Sequence, residues 1–242
     1  MTTVLEPAGG APASMPLTAH LAELRDRLIW SIAAILVGGI VGFIFGDQLI
    51  SFLQSQLPAD VNLQQIELGD GFAIQIQIAL VVGVVLAMPI LLWHVWRFVA
   101  PGLTRSERRA VLPWIPAALV FFLIGVSIAF VILPFAAQFL LSFVPPGVER
   151  NINIRSYFDF ITSLFLVFGL LMEFPILLVG LSRVGIVTSA RLINVRRLVI
   201  VGSLVFSAVI TPGGDLVSPT VLWITLMILF EGTIFFIRRT GR

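Results

Sequence analysis

Residues 98–109 read FVAPGLTRSERR and form the longest polar, basic interruption in the first half of an otherwise apolar chain. Within this stretch, Ala100-Pro101-Gly102 is a turn signal, because proline and glycine both interrupt regular structure. Thr104 and Glu107 have the spacing of a capping box, which predicts that a helix begins directly after the turn. Three of the last five residues are arginines, and they surround that single acid. We therefore interpret residues 98–109 as a charged recognition loop, held in place by the apolar segments on either side of it.

The composition on both sides of this loop is that of an integral membrane protein. Of the 242 residues, 58% are hydrophobic and 12% are charged, and the mean hydropathy is +1.06. So few charges cannot cover the surface of a soluble domain of this size. The sequence has no cysteine, which excludes disulfides and thiol catalysis, and its two isolated histidines give no metal site. It has no glycine-rich phosphate loop, so we expect no nucleotide hydrolysis.

Hydropathy divides the chain into a short tail and one helical membrane domain. Residues 1–16 are rich in Ala, Gly and Pro without periodicity, so we expect a disordered tail followed by a single domain at residues 17–242. Leu17–Leu28 repeats leucine at helical spacing and predicts a short amphipathic helix at the membrane surface. The predicted class is all-α, a polytopic membrane protein with six transmembrane helices, of which the fifth and sixth are short. The six apolar segments are Leu28–Phe45, Phe72–Trp96, Ala110–Leu133, Tyr157–Ser182, Leu198–Ile210 and Thr220–Ile237.

The last two apolar segments leave two topologies open. They are joined by the tight turn Thr211-Pro212-Gly213-Gly214, so they form either two short spans or a re-entrant hairpin. We favour two spans, because crossing helices leave no backbone group unsatisfied in lipid. In either case, the connecting segments rich in arginine all lie on the same predicted side of the membrane. The N-terminal segment, the loops at 97–109 and 183–197 and the C-terminus carry 13 of them, and the remaining loops carry two. The positive-inside rule then places both termini in the cytoplasm.

Three acids are candidate functional residues. Glu173 lies inside the fourth apolar segment, where a carboxyl group is costly and is by default a functional candidate. The alternative is that Glu173 only joins helices by hydrogen bonding. Glu23 and Glu107 lie among arginines on the predicted cytoplasmic face. From periodicity alone, an i,i+4 ion pair with Arg27 explains Glu23, and the capping box with Thr104 explains Glu107.

Four groups of residues, in this order, carry a recognisable pattern. They are HLAELRDR at 20–27, FVAPGL at 98–103 with ERR at 107–109, FG at 168–169 with EFP at 173–175, and TP at 211–212 with Asp215. The first resembles the HLxELRxR signature at the start of TatC, the receptor subunit of the twin-arginine protein translocase. The others resemble the first cytoplasmic loop, the fourth span and the last periplasmic turn of that family. The resemblance extends from Leu17 to the C-terminus.

The resemblance implies a receptor, not an enzyme, with six spans in a concave bundle in the plasma membrane of a prokaryote. Such a receptor binds signal peptides with paired arginines and serves the export of folded proteins by the proton-motive force. The implied partners are TatA and, where present, TatB, in a multi-copy hetero-oligomeric complex within the lipid bilayer, with no nucleic acid and no cofactor. The implied signal-peptide-binding residues are Glu23, Glu107, Arg25, Phe98 and Arg108, and the implied contacts with a partner in the membrane groove are Glu173 and Asp215.

A proton-coupled small-molecule secondary transporter is the main alternative, with Glu173 as its proton relay. Such transporters usually contain repeated halves with broken helices, and the sequence shows no internal repeat of that kind. A passive membrane scaffold is a third possibility, but a scaffold has no need for acids at positions 23, 107 and 173. Binding of a twin-arginine peptide, compared with its twin-lysine version, separates these functions.

Overall fold

A computed structural model of the protein describes residues 17–58, 60–145, 147–183, 185–211 and 215–239. The predicted disordered tail at residues 1–16 lies outside this part of the chain, as does the turn at residues 212–214. The described residues form ten α-helices, a 3₁₀ turn at Ala100–Gly102 and two short strands, β1 (Asn62–Gln64) and β2 (Asn151–Asn153). The helices are α1 (Leu17–Ile44), α2 (Gly46–Gln54), α3 (Asp70–Val99), α4 (Arg105–Val111), α5 (Trp114–Leu141), α6 (Ile154–Leu171), α7 (Phe174–Arg183), α8 (Ser189–Asn194), α9 (Arg196–Ile210) and α10 (Val217–Arg239).

Five helical segments of the described chain are long and apolar enough to cross a membrane, and they confirm the predicted all-α, polytopic class. The predicted fifth span corresponds to α9, which is not one of these five segments. Its 15 residues extend about 22 Å at 1.5 Å per residue, against a hydrocarbon core of about 30 Å. The sixth helix, α10, has 23 residues and is longer than its apolar segment suggests, because it begins before Thr220 and ends after Ile237. The five segments are Thr18–Ile44, Asp70–Gly102, Arg105–Leu141, Ile154–Arg183 and Val217–Arg239.

Helix α1 is continuous, so the amphipathic segment predicted at the membrane surface runs into the first apolar segment without a break. The helix packs along α3 at very short range, because the facing residues are small. A Cβ atom built on Gly83 would lie 2.5 Å from the carbonyl oxygen of Ile35, and one built on Gly42 would lie 3.0 Å from the Cα atom of Ala79. Small residues let membrane helices approach this closely, so the α1–α3 pair is held by backbone-to-backbone packing.

The main core lies between α5 and α6, with contributions from α3 and α10. Large, fully buried side chains on these two helices include Phe122, Phe158 and Phe168. Two glycines make room for them, one on each helix. A Cβ atom on Gly169 would lie 2.7 Å from the ring of Phe122, and one on Gly125 would lie 2.4 Å from the carbonyl oxygen of Phe168. The two helices therefore pack closely, because each helix places a glycine against the surface of the other helix.

The two loops predicted to lie outside the cell meet in a small parallel ribbon, which adds two strands to the predicted helical fold. Strand β1 belongs to the first of these loops and β2 to the second. Two ion pairs also join the loops: Arg150 binds Asp60, and Nη1 of Arg155 lies 3.8 Å from Oδ1 of Asp70. We call this end of the bundle the ribbon end. The opposite end, where α1 and α9 begin and α3, α7 and α10 end, is the basic end.

Candidate functional site

The loop at residues 98–109 folds as its sequence predicts. Helix α3 ends at Val99, and the 3₁₀ turn redirects the chain. Thr104 then caps α4: its Oγ1 accepts a hydrogen bond from the backbone N–H of Glu107 at 3.4 Å, and its own N–H donates to Oε2 of Glu107 at 2.9 Å. The Thr104 hydroxyl donates to the same carboxylate oxygen at 2.8 Å. The capping box is confirmed, and it fixes the Glu107 carboxylate at the start of α4.

Glu23 lies in the first part of α1, one helical turn before Arg27. Both Nε and Nη2 of Arg27 donate to Oε1 of Glu23, with Nε at 3.1 Å, so the i,i+4 pair expected from periodicity is present. Only 15% of the Arg27 side chain and 24% of the Glu23 side chain are exposed, which shelters the pair more than a typical surface salt bridge. The other carboxylate oxygen, Oε2, is buried and has no hydrogen-bond partner among the described residues. Nδ1 of His20 lies 3.6 Å from it.

A ring stack joins the start of α1 to the recognition loop. The imidazole of His20 lies almost flat on the phenyl ring of Phe98, with 4.2 Å between the ring centroids and 11° between the ring planes. Phe98 is the first residue of the loop that carries Glu107. The stack therefore brings the helix of Glu23 beside this loop, so that two regions that are far apart in the sequence adjoin at the basic end.

The two arginines expected at this site have different surroundings. The guanidinium of Arg108 lies over the ring of Trp96, 5.2 Å from its centroid. Trp96 is buried and contacts Trp93, with 5.0 Å between the ring centroids. Arg25 instead pairs with the neighbouring Asp26 at 2.8 Å, and both of these side chains are largely exposed. An exposed pair of this kind holds a side chain only weakly. Arg108 is thus anchored on an aromatic surface, and Arg25 is easily moved.

Glu173 lies at a break in the fourth span. Helix α6 ends at Leu171 and α7 begins at Phe174, with Pro175 in its first turn. Proline cannot donate a backbone hydrogen bond, and its ring clashes with the preceding turn, which accounts for the interruption. Oε1 of Glu173 is buried and has no hydrogen-bond partner in the described part of the chain. The carboxyl group is therefore available to form a hydrogen bond with another polar group at this depth.

Asp215 takes a capping position. It is buried, and its Oδ1 accepts a hydrogen bond from the backbone N–H of Ser218 at 2.5 Å, at the start of α10. Its Oδ2 has no hydrogen-bond partner among the residues that the structure describes. The geometry thus gives Asp215 a local role in starting α10. Its contact with a partner in the membrane stays a prediction.

An apolar groove of about 350 Å³ lies beside the break in the fourth span. Helices α6, α7, α9 and α10 all contribute to its walls. Leu171 and Phe174, which flank the break that holds Glu173, belong to the lining. The groove is therefore an apolar surface next to the break in the fourth span, lined by two residues that flank Glu173 in the sequence. The remaining lining residues are Leu198, Val199, Gly202, Ser203, Phe206, Leu226, Met227 and Phe230.

Sequence reasoning assigned no role to two polar groups towards the ribbon end. Asp70 is fully buried at the start of α3, and its Oδ2 accepts a hydrogen bond from the backbone N–H of Glu67 at 2.9 Å. Gln77 joins α3 to α6, because its amide donates to Asp159 at 3.0 Å and to Thr162 at 2.6 Å. The sequence signal that could have indicated these roles is the position of each residue: Asp70 lies directly before an apolar segment, and Gln77 lies just inside it. In the described residues, no group of three His, Cys, Asp or Glu side chains could hold a metal ion.

The chain is similar to known proteins over most of its length. Residues 19–224 match the family model described as Sec-independent protein translocase protein (TatC). A TatC protein of Azotobacter chroococcum is 37% identical over 227 residues, covering 92% of this chain and 89% of that protein. TatCy of Bacillus subtilis is 37% identical over 220 residues, covering 90% of this chain and 86% of that protein. A crystal structure described as twin arginine translocase receptor TatC matches with a TM-score of 0.80 and 32% identity, covering 92% of this chain and 100% of that one.

Proposed function

The chain belongs to the TatC family of Sec-independent protein translocase proteins, and we propose that it is the receptor subunit that binds twin-arginine signal peptides at its basic end. The observation that carries the proposal is the stack of His20 on Phe98, which brings Glu23 beside the loop of Glu107. Two carboxylates at one surface can accept two guanidinium groups. A planar guanidinium binds a carboxylate through two parallel hydrogen bonds, whereas an ammonium group offers a point charge. The site therefore discriminates an arginine pair from a lysine pair.

Aromatic rings at the same end support this assignment. A guanidinium stacks on an aromatic face and is attracted to it electrostatically. Trp96 already holds the guanidinium of Arg108 in this way. Phe98 offers a second ring beside Glu23, on which His20 is stacked. The proposed site combines acids that bind the charge with aromatic rings that suit the planar shape of the arginine side chain.

We place the chain in the plasma membrane of a prokaryote as a multi-pass protein, and the arrangement of the arginines supports an orientation with both termini in the cytoplasm. The basic end then faces the compartment in which cargo proteins are made and folded. We assign the apolar groove to the membrane helix of a single-span partner, TatA or TatB, in a multi-copy hetero-oligomeric complex. Glu173 lies beside that groove and offers an incoming helix a polar contact that lipid does not.

Peptide binding by the purified full chain tests the receptor function. We expect a twin-arginine peptide to bind more tightly than its twin-lysine version. Glu23→Gln should weaken twin-arginine binding by roughly tenfold, as expected for losing one hydrogen bond to a charged group. Glu231→Gln is the matched control, because it also removes a carboxylate from an ion pair, with Arg196 at 2.6 Å, at a position outside the proposed site. Equal binding of the two peptides by the unaltered chain would contradict the receptor function.

A further inference from the structure

We infer that His20 is a positioning residue for Glu23: held against Phe98, it keeps one carboxylate oxygen turned away from Arg27 and unpaired, so that an incoming arginine that displaces the side chains covering this oxygen can bind it. The inference rests on the proposed receptor function, because Glu23 is one of the two acids that we assign to the arginine pair. It goes beyond that function by naming the oxygen that receives the guanidinium and the residue that keeps this oxygen unpaired.

Arg27 binds only one of the two oxygens of the Glu23 carboxylate. Arginine commonly binds a carboxylate with two donors on two oxygens. Here both donors of Arg27 bind the same oxygen, Oε1, and Oε2 accepts no hydrogen bond from the described residues. A buried carboxylate oxygen without a partner is unfavourable. Rotation of the carboxylate would let Arg27 bind both oxygens, and the contact that we infer opposes this rotation is that of Oε2 with His20.

His20 lies close to the other oxygen of this carboxylate. It lies one helical turn before Glu23, and Arg27 lies one turn after it, so the two flank the carboxylate on one face of α1. Nδ1 of His20 is 3.6 Å from Oε2, which is longer than a normal hydrogen bond but close enough for attraction when this nitrogen carries a proton. Oε2 is thus drawn towards His20 without being occupied by it.

Phe98 holds the imidazole of His20 in one orientation. A histidine on the surface of a helix would rotate freely, and its attraction for Oε2 would be lost for much of the time. The stack on Phe98, with planes 11° apart, removes that freedom. The loop that carries Glu107 therefore also sets the direction of the Glu23 carboxylate, so that the two acids of the proposed site are coupled through His20.

A set of variants in the purified full chain tests this inference by twin-arginine peptide binding. His20→Phe keeps a ring for the stack but loses Nδ1, and we expect it to weaken binding roughly tenfold, as for one lost hydrogen bond to a charged group. His20→Asn places an amide nitrogen close to the position of Nδ1 but has no ring to stack on Phe98, so it should recover little of that loss. Adding Arg27→Gln to His20→Phe should restore binding, because the competing guanidinium is gone. Arg196→Gln, added in the same way, removes an arginine paired elsewhere and should restore nothing.

Wild-type affinity in His20→Phe, or no recovery on adding Arg27→Gln, would overturn the inference. A second measurement does not depend on the peptide. The coupling between positions 23 and 27 in thermal unfolding, from the cycle of Glu23→Gln and Arg27→Gln, should be stronger in the His20→Phe background than in the unaltered chain. An unchanged coupling overturns the positioning role. If the coupling rises while the unaltered chain binds twin-arginine and twin-lysine peptides equally, the positioning role stands and only the receptor function fails.

Discussion

Glu107 has a capping role and a proposed binding role, and two substitutions separate them. Thr104→Ala removes the hydroxyl that accepts the N–H of Glu107, so we expect the free energy of unfolding to fall by about 1 kcal/mol, with little change in peptide affinity. Glu107→Gln keeps an oxygen for the N–H of Thr104, since glutamine also serves in a capping box, but removes the charge. We expect unchanged stability and roughly tenfold weaker twin-arginine binding. Thermal unfolding and peptide titration of both variants check this. Unchanged affinity in Glu107→Gln would leave this residue with the capping role alone.

Glu173 is the second residue whose role a pair of substitutions can decide. Glu173→Gln keeps a hydrogen-bonding side chain of the same shape, and Glu173→Ala removes it. If Glu173 provides a polar contact for a partner helix, Gln should retain partner binding, and Ala should weaken it by about 1 kcal/mol, the usual size of one hydrogen bond between membrane helices. Crosslinking to the single-span subunits and export of a folded reporter measure the two effects. A Gln variant that binds partners but exports nothing would instead indicate proton relay. Wild-type export by the Ala variant would leave Glu173 as a helix-joining group at most.

At the scale of helices, the close approach of α1 and α3 depends on the absence of a side chain at Gly83. A Cβ atom there would lie 2.5 Å from the carbonyl oxygen of Ile35 and 2.9 Å from the backbone nitrogen of Gly39. Backbone atoms cannot move aside, so Gly83→Ala must displace α1, and we expect a loss of about 2 kcal/mol in the free energy of unfolding. Gly232→Ala adds the same methyl group in α10, where no atom of another helix lies within 4 Å, and should leave stability unchanged or slightly raised. Thermal unfolding in detergent compares the two. Equal stability of both variants would contradict backbone-to-backbone packing.

The elements that the sequence predicts correctly are those whose signals are local. The capping box of Thr104 and Glu107 occupies four consecutive residues, and the short α9 lies between basic and turn-forming residues. The missed features depend on residues far apart in the chain. The three-residue strands are too short to show a period of two, and their pairing needs two loops to meet. The stack of His20 on Phe98 depends on the packing of α1 against α3, which hydropathy does not report.

On the scale of the whole molecule, two arginines lie on the predicted outer side, against the positive-inside pattern, and both form ion pairs at the ribbon end. Arg150 and Arg155 both lie in the second of the loops predicted outside. Each meets a carboxylate of the first such loop, Asp60 and Asp70 respectively. The positive charge of these two residues is therefore offset within the ribbon end. This leaves the arginine excess at the opposite end, which is the arrangement that the positive-inside rule associates with the cytoplasm.

Topology is the prediction that belongs to the whole molecule, and the absence of cysteine makes it directly testable. Leu68 is fully exposed at the ribbon end, and Arg105 is exposed at the basic end. In intact cells, a membrane-impermeant thiol reagent should label the Leu68→Cys variant and leave the Arg105→Cys variant unlabelled until the membrane is opened. The unaltered chain gives the background. Labelling of Arg105→Cys in sealed cells would reverse the proposed orientation.

A third position distinguishes two spans from a re-entrant hairpin in the last part of the chain. The 23 residues of α10 extend about 35 Å, enough to cross a hydrocarbon core of about 30 Å, whereas a hairpin that re-emerges on the same side needs two short legs. The start of α10 also packs with the core that includes β1 and β2, since Val217 and Leu222 belong to the same cluster as Leu63 and Ile152. Leu216, just before this helix, is exposed. We therefore expect the reagent to label Leu216→Cys from outside the cell, as we expect for Leu68→Cys. Protection of Leu216→Cys in sealed cells, with labelling of Leu68→Cys intact, would favour the hairpin.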